Sequence, residues 1–177
     1  MIPTLATGRL TLRAPEPRDV APFAAFYASE AARFVGGPMA DWEVWRYTAE
    51  VVGHWHLRGF GRWMVTEGHG PDAGPAVGLV GLHHPLDWPE PEVGWMIWGG
   101  AEGRGIAREA AEAARAWAYG EAGMTTLVSS IDAANARSVA LAERMGAARD
   151  GGFDHPKYGY LGLWRHPGPD ALAEGVQ

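Results

Sequence analysis

The first residues with recognisable chemistry form a glycine-rich loop in front of a helix-forming, alanine-rich run. Four glycines fall within seven residues: Gly99, Gly100, Gly103 and Gly105. A strand–glycine loop–helix junction leaves backbone N–H groups directed at one place, with the helix dipole behind them. Glycines let that backbone approach a bulky anion, and Arg104 and Arg108 add positive charge. The stretch therefore predicts an anion-binding loop, with a plain structural turn as the alternative.

The loop does not match either common phosphate-binding motif. A Walker loop requires Gly-Lys-Ser/Thr, which the chain lacks. A dinucleotide fingerprint requires G-x-G-x-x-G early in a βαβ unit, and here Glu109 and Ala110 follow with no third glycine in place. An ordinary nucleotide-binding domain is therefore a weak interpretation.

The elements that must position this loop can be read from hydrophobic periodicity and turn residues. Strands are predicted at about 9–15, 62–67, 76–84, 92–98, 125–131 and 159–165, and helices at about 19–29, 41–59, 106–121 and 135–145. This β-α-α-β-β-β-α-β-α-β order predicts an α/β (α+β) fold with a mostly antiparallel sheet. We expect one domain over residues 1–177, with a loose tail from about residue 167.

Composition narrows the function classes. The net charge of −6 argues against a nucleic-acid binder, and the absence of cysteine excludes disulfides, thiolate metal sites and a cysteine nucleophile. His54 and His56 do not share a helix face, so we expect no metal site. The segment MIPTLATGRL has no secretory-signal pattern and no apolar run has membrane-spanning length, so a cytoplasmic protein is expected.

Several correctly ordered segments resemble one superfamily. The motif Q/R-x-x-G-x-G/A of the GNAT acetyltransferases falls on EGRGIA, 102–107, and NARSVALAERMGA, 135–147, resembles their N-x-x-S helix. TGRLTLRAPEPRDV and GLVGLHH resemble the family's first strand and the strand before the active-site strand. The resemblance covers about residues 7–165 and is closest to the RimJ/RimL-like branch. It implies a GNAT-like fold whose sheet is split into a V and flanked by about four helices.

The resemblance also implies a cofactor and the residues that hold it. Acetyl-CoA would serve as acyl donor, without a metal, and its pantetheine arm would enter the gap between strands 92–98 and 125–131. Backbone amides near Met96, Ile97 and Trp98 would contact that arm, and Asn135 would bind it with its side-chain amide. The pyrophosphate would be held by the loop, through Gly103, Arg104, Gly105, Ile106 and Ala107.

Acyl transfer to an amine requires a proton acceptor for the amine and a donor for the leaving thiolate. Glu92, at the start of the active-site strand, is the candidate base, acting through a water; His83 or His84 is the alternative. Ser138, three residues after Asn135 on one helix face, is the candidate acid. The remaining candidates for the acid are Tyr119, Tyr158 and Tyr160.

Three positions depart from the family pattern. Glu102 stands where relatives prefer Gln or Arg, and should weaken pyrophosphate binding. Ala142 occupies the place of a tyrosine that protonates the leaving thiolate in many relatives. Ala147 replaces a phenylalanine, which is expected to change only packing.

The acceptor is expected to be a primary amine, on a protein N-terminus or a small molecule. Trp42 and Trp45 fall where relatives form the acceptor pocket, with core packing as the alternative; Asp154, His155 and Tyr158 either line its far end or only build a loop. The competing function is a non-catalytic acyl-CoA-binding sensor. The resemblance also allows a homodimer.

Overall fold

The structure, a computed structural model, describes residues 1–70 and 73–174. Its strands are β1 (Leu5–Ala6), β2 (Leu10–Arg13), β3 (Arg62–Glu67), β4 (Ala76–His83), β5 (Glu92–Ile97), β6 (Val128–Ile131), β7 (Ala148–His155) and β8 (Gly159–Arg165). Its α-helices are α1 (Val20–Tyr27), α2 (Asp41–Arg58), α3 (Ile106–Gly120), α4 (Ala136–Arg144) and α5 (Pro169–Glu174). Every predicted strand and helix is present, with ends shifted by up to three residues.

The strands form one mixed sheet in the order β1-β2-β3-β4-β5-β6-β8-β7. Neighbouring strands are antiparallel throughout, except that β5 and β6 are parallel. This confirms the expected mixed, mostly antiparallel sheet. The parallel pair lies near the middle of the sheet, where its two strands feed α3 and α4.

Helices cover both faces of the sheet. Alternation along β3 directs Trp63 and Val65 to the face packed by the alanines of α3, and Met64 to the face packed by α1 and α2. The small α3 residues Ala110 and Ala114 are fully buried. The helix therefore packs close to the sheet, which fixes the loop at its N-terminus relative to β5.

The core-packing alternative for Trp42 and Trp45 is wrong. Their exposed fractions are 60% and 62%, so both lie on the solvent side of α2. The face of α2 that is buried carries Val44, Thr48, Val51 and Trp55. Both sets recur at helical spacing, and only packing against the sheet decides which one is covered.

Two elements were not predicted near the C-terminus. The strand β7 has an exposed, glycine-containing sequence without alternation, and it forms because it pairs with β8. The short exposed helix α5 lies within the expected tail, just after Pro167, whose carbonyl accepts a 3.0 Å hydrogen bond from the Tyr119 hydroxyl. Residues 175–177 of that tail lie outside the described residues.

Candidate active site

The gap that carries the site opens between β5 and β6. Their parallel pairing is limited to Glu92 opposite Val128, where the Val128 N–H donates to the Pro91 carbonyl at 3.2 Å. Beyond that point the two strands separate. A cavity of about 740 Å³ opens there, lined by both strands, by α2 and α4, and by the turn between β7 and β8.

The direction of backbone hydrogen bonding alternates along β5, and this alternation decides which of its amides face the gap. The Trp98 N–H donates to the Val77 carbonyl of β4 at 2.9 Å. Because hydrogen-bonding direction alternates along an antiparallel ladder, the Met96 N–H, opposite Leu79, also points to β4. The prediction of free amides at Met96 and Trp98 is therefore wrong.

By the same alternation, the amides of Val93, Trp95 and Ile97 point toward β6, and those of Trp95 and Ile97 lie beyond the paired Glu92 and Val128. Ile97 was among the predicted contacts, and Trp95 was missed. Which β5 amides face β6 depends on the register between β5 and β4, so the sequence alone did not indicate it.

The glycine loop has the backbone geometry that its sequence predicted. Gly103 and Gly105 have φ of 73° and 80°, a left-handed conformation that other residues adopt only with strain. Gly105 precedes α3, and the first helical hydrogen bond runs from the Glu109 N–H to the Gly105 carbonyl at 3.1 Å. The amides of Ile106 and Ala107 therefore precede the helical ladder, as an anion site at a helix N-terminus requires.

Ion pairs surround this loop and decide which cationic side chains lie close to it. The Arg104 guanidinium points to Glu67, to which it donates two hydrogen bonds of 2.8 and 2.6 Å in an exposed ion pair. Arg9 instead lies against the loop, donating to the Arg104 carbonyl at 3.3 Å and to Glu109 at 2.8 Å. The part that Arg104 plays in cofactor binding stays a prediction, and Arg9 is a nearby cation, paired with Glu109, that the sequence did not indicate.

Glu92 lies at the apex of the gap and is buried, with 6% of its surface exposed. Its Oε1 accepts from the Arg62 guanidinium at 3.2 Å, and its Oε2 accepts from the Ser130 N–H at 3.3 Å. Arg62 also donates to the Tyr47 hydroxyl. Burial raises the pKa of Tyr47, so this phenol stays protonated at neutral pH.

Of the two candidate histidines, His83 lines the cavity. Its ring stacks on His54 with centroids 5.4 Å apart. Burial, and then the nearby Arg62 charge, lower the pKa of His83 far below its ordinary value, which makes it a weak base. His84 is half-buried, and its backbone N–H donates to the His54 ring at 3.0 Å.

The N-terminus of α4 brings the other two predicted residues to the cavity. Asn135 caps the helix, because its Oδ1 accepts from the Ser138 N–H at 3.3 Å; its amide N–H groups remain available as donors. The Ser138 hydroxyl accepts from the Trp95 indole at 3.2 Å, which leaves its own proton free to donate. Ala142 is fully buried against Ile131, so nothing at that position reaches the cavity.

Of the candidate tyrosines and the residues around the β7–β8 turn, some line the cavity and others do not. Tyr158 lines the cavity, whereas Tyr119 donates to Pro167 and Tyr160 is an exposed acceptor for Arg149. His155 lines the cavity too and donates from Nε2 to Asp87 at 3.0 Å, since its Nδ1 accepts two backbone N–H groups. Asp154 is exposed on β7. Trp42 lines the outer part of the cavity.

Two further findings concern the described residues as a group. Within residues 1–70 and 73–174, His, Asp and Glu side chains form no group of three suited to a metal ion. In the same part of the chain, no helix combines the length and the apolar character needed to cross a bilayer.

The acetyltransferase (GNAT) domain family matches residues 9–148. The chain therefore belongs to the GNAT family of acetyltransferases. An acetyltransferase from Agrobacterium tumefaciens str. C58 is 37% identical over 94% of this chain and 95% of its own, with a TM-score of 0.85.

Two more distant structures share the fold. RimL, a ribosomal L7/L12 alpha-N-protein acetyltransferase solved with coenzyme A, is 14% identical, with a TM-score of 0.74 over 93% of this chain and 98% of its own. Spermidine N-acetyltransferase from Vibrio cholerae, solved with CoA and spermine, is 18% identical, with a TM-score of 0.72 over 94% and 99%.

Proposed function

We propose that this protein transfers an acetyl group from acetyl-CoA to a primary amine by direct attack of the amine on the thioester, as a RimJ/RimL-like enzyme. The observation that carries the proposal is the gap between β5 and β6: it opens into a large polar and aromatic cavity, and β5 leads through the glycine loop to the N-terminus of α3. Acetyl-CoA would supply the activated acetyl group.

The residues around the gap fit such a cofactor. The amides of Ile106 and Ala107 precede the helical ladder and are suited to a diphosphate, with those of Gly103 and Gly105 next to them in the loop; a Cβ built at Gly103 would meet nothing within 4 Å, which leaves room for one. The Trp95 and Ile97 amides and the Asn135 side chain would hydrogen-bond the pantetheine arm.

Two cavity residues are assigned to proton transfer. Glu92 is proposed as the base, because each oxygen accepts one hydrogen bond and keeps a lone pair for a water that takes the amine proton. Ser138 is proposed to protonate the leaving thiolate, because its hydroxyl proton is not committed to a protein acceptor. The low pKa of His83 makes it the weaker alternative.

The outer cavity suits a cationic amine. The cavity lining has an excess of acidic side chains: the carboxylates are Glu43, Glu50, Asp87, Glu92 and Asp132, and the cations are Arg46, Arg62 and Lys157. Aromatic rings of Trp42 and Tyr158 line it too, and each lies under a cation of the protein, Arg46 at 5.6 Å and Lys157 at 5.2 Å, which a substrate ammonium group would replace. We propose a protein N-terminus or a small amine as acceptor, a cytoplasmic location and a homodimer, the last of which sedimentation would test.

Two observations favour a second function, a non-catalytic acyl-CoA-binding module. Ala142 is sealed in the core, and both Glu92 oxygens already accept hydrogen bonds from the protein. Such a module would bind acetyl-CoA without acetylating any amine.

The test combines binding with turnover. Calorimetry with acetyl-CoA, and with ATP and NAD as controls, should give heat for acetyl-CoA alone. Thiol release is then followed with N-terminal peptides and with di- and polyamines. Binding without turnover on every acceptor would favour the module, and no binding of acetyl-CoA would overturn both functions.

A further inference from the structure

The gap between β5 and β6 opens where one specific ladder hydrogen bond is missing. After the bond from Val128 N–H to Pro91 C=O, parallel pairing would next join the Ser130 N–H to the Val93 C=O. Neither group has that partner. The Ser130 N–H donates to Glu92 Oε2 at 3.3 Å, and the Val93 carbonyl accepts from the Ser129 hydroxyl at 2.6 Å. The side chains of Glu92 and Ser129 thus replace the next hydrogen bond between the two strands.

The Ser129 hydroxyl is oriented by a series of hydrogen bonds in which the donor and acceptor of each bond are fixed. Arg115 can only donate, so Nδ1 of His166, 3.2 Å away, must accept. His166 Nε2 therefore carries the proton and donates to Ser129 Oγ at 3.0 Å, which leaves the Ser129 proton for the Val93 carbonyl. The tautomer follows from this network.

The three side chains of this hydrogen-bond network are buried, and the network is attached to the backbone at both ends. The exposed fractions of Arg115, Ser129 and His166 are 7%, 2% and 3%, and Arg115 also donates to the Met145 carbonyl at the end of α4 at 2.7 Å. Burial, with the Arg115 charge, lowers the pKa of His166 to about 4, so the ring is neutral at pH 7. A low local dielectric strengthens each of these bonds.

This arrangement excludes a nucleophilic serine. In a catalytic Ser–His pair the hydroxyl donates to the imidazole. Here the imidazole donates to the hydroxyl, and the serine proton points at a backbone carbonyl. The group is built to hold a backbone position.

We propose that Ser129, oriented by His166 and Arg115, is a positioning residue that keeps β5 and β6 apart and so sets the width of the slot for the pantetheine arm of the acyl donor. The inference rests on the proposed use of acetyl-CoA. Without the hydroxyl, the buried Val93 carbonyl would lose its partner, and the nearest replacement is the Ser130 N–H. That bond would draw β6 toward the normal strand spacing of about 4.8 Å and narrow the slot.

The experiment compares Ser129→Ala with Ser129→Thr, which keeps the hydroxyl. Calorimetry with coenzyme A should show about tenfold weaker binding for Ser129→Ala, and affinity within about threefold of wild type for Ser129→Thr. In turnover, the KM for acetyl-CoA should rise while the KM for the amine stays constant. Thr48→Val is the matched control, because Thr48 is also a buried hydroxyl bonded to a backbone carbonyl, that of Val44 at 2.9 Å. It should lose stability without losing coenzyme A affinity.

A second variant covers failure of Ser129→Ala to fold. His166→Gln keeps the Ser129 hydroxyl but replaces the ring that orients it, and should weaken coenzyme A binding about threefold in the same direction. Unchanged coenzyme A affinity in a folded Ser129→Ala or His166→Gln protein would overturn the inference. Absence of coenzyme A binding by the wild type would instead overturn the proposed function.

Discussion

Glu102 and Arg137 form an ion pair of 2.9 Å across the open end of the gap between β5 and β6. Glu102 lies in the glycine loop before α3, and Arg137 lies in the first turn of α4. The pair therefore neutralises the carboxylate that stands where the resemblance leads one to expect Gln or Arg. Both side chains are substantially exposed, so the pair is weak and can be exchanged for a contact with a cofactor phosphate.

Replacing Glu102 with Gln should strengthen acetyl-CoA binding. The substitution removes a negative charge near the proposed diphosphate site and frees Arg137, which we expect to lower the Kd about fivefold at low salt. Asp150→Asn is the matched control, because Asp150 of β7 forms a partly exposed ion pair with Arg165 of β8, away from the glycine loop. Calorimetry on both variants decides; an unchanged or raised Kd for Glu102→Gln would contradict the placement of the diphosphate.

Gly103→Ala should separate backbone strain from cofactor binding. Gly103 and Gly123 have φ of 73° and 65°, and a Cβ at either meets nothing within 4 Å. Both alanine variants should therefore lose about 1–2 kcal/mol of unfolding free energy. Only Gly103→Ala should also weaken acetyl-CoA binding, by about tenfold, because its methyl group enters the anion site. Equal affinities in the two variants would mean that the loop is only a turn.

Glu92→Gln tests the proposed base. We expect kcat to fall by about 10²–10⁴-fold, the usual contribution of general base catalysis, with an unchanged Kd for coenzyme A. Asp87→Asn changes another carboxylate of the cavity, and should raise the KM for the amine while kcat stays within about threefold. Steady-state kinetics on both will show whether Glu92 moves protons. If Glu92→Gln keeps its kcat, the carboxylate serves only to hold Arg62 and the Ser130 amide.

Ser138→Ala removes the proposed donor to the thiolate. A fall in kcat of about tenfold to a hundredfold is expected, at constant Kd for coenzyme A. Ser138→Thr retains a hydroxyl at the same position and should restore most of the rate. Loss of activity in both variants would indicate that the site is sensitive to packing near the Trp95 indole rather than to proton donation.

Acid should destabilise the protein through His166. Its pKa is lowered from 6.5 to about 4 in the folded state. Between these values the unfolded chain binds a proton that the folded protein does not, so the free energy of unfolding falls as the pH drops. The loss at pH 5 relative to pH 7.5 should be about 2 kcal/mol smaller in His166→Gln than in the wild type, as measured by urea unfolding. The comparison isolates His166, since the buried His83 shifts in the same direction in both proteins. Parallel pH profiles would contradict the prediction.

Elements with a strong local signal were predictable. The run 62–67 became β3 with the predicted ends, and Gly59 ends α2 with a φ of 77°. β7 was not predictable, because its sequence has no alternation and its strand conformation depends on pairing with β8. Trp42 and Trp45 show the same limit, since helical spacing does not say which face of α2 the sheet will cover.

The sequence by itself determined the family and the position of the glycine loop, because both rest on glycines and helix-start residues that act within a few residues along the chain. Only the tertiary structure decided which β5 amides face the gap, how Glu92 is shared between Arg62 and the Ser130 amide, and that Glu102 is neutralised by Arg137. These are relations between residues tens of positions apart. Each depends on strand register and on which elements become neighbours, and neither is encoded in local residue spacing.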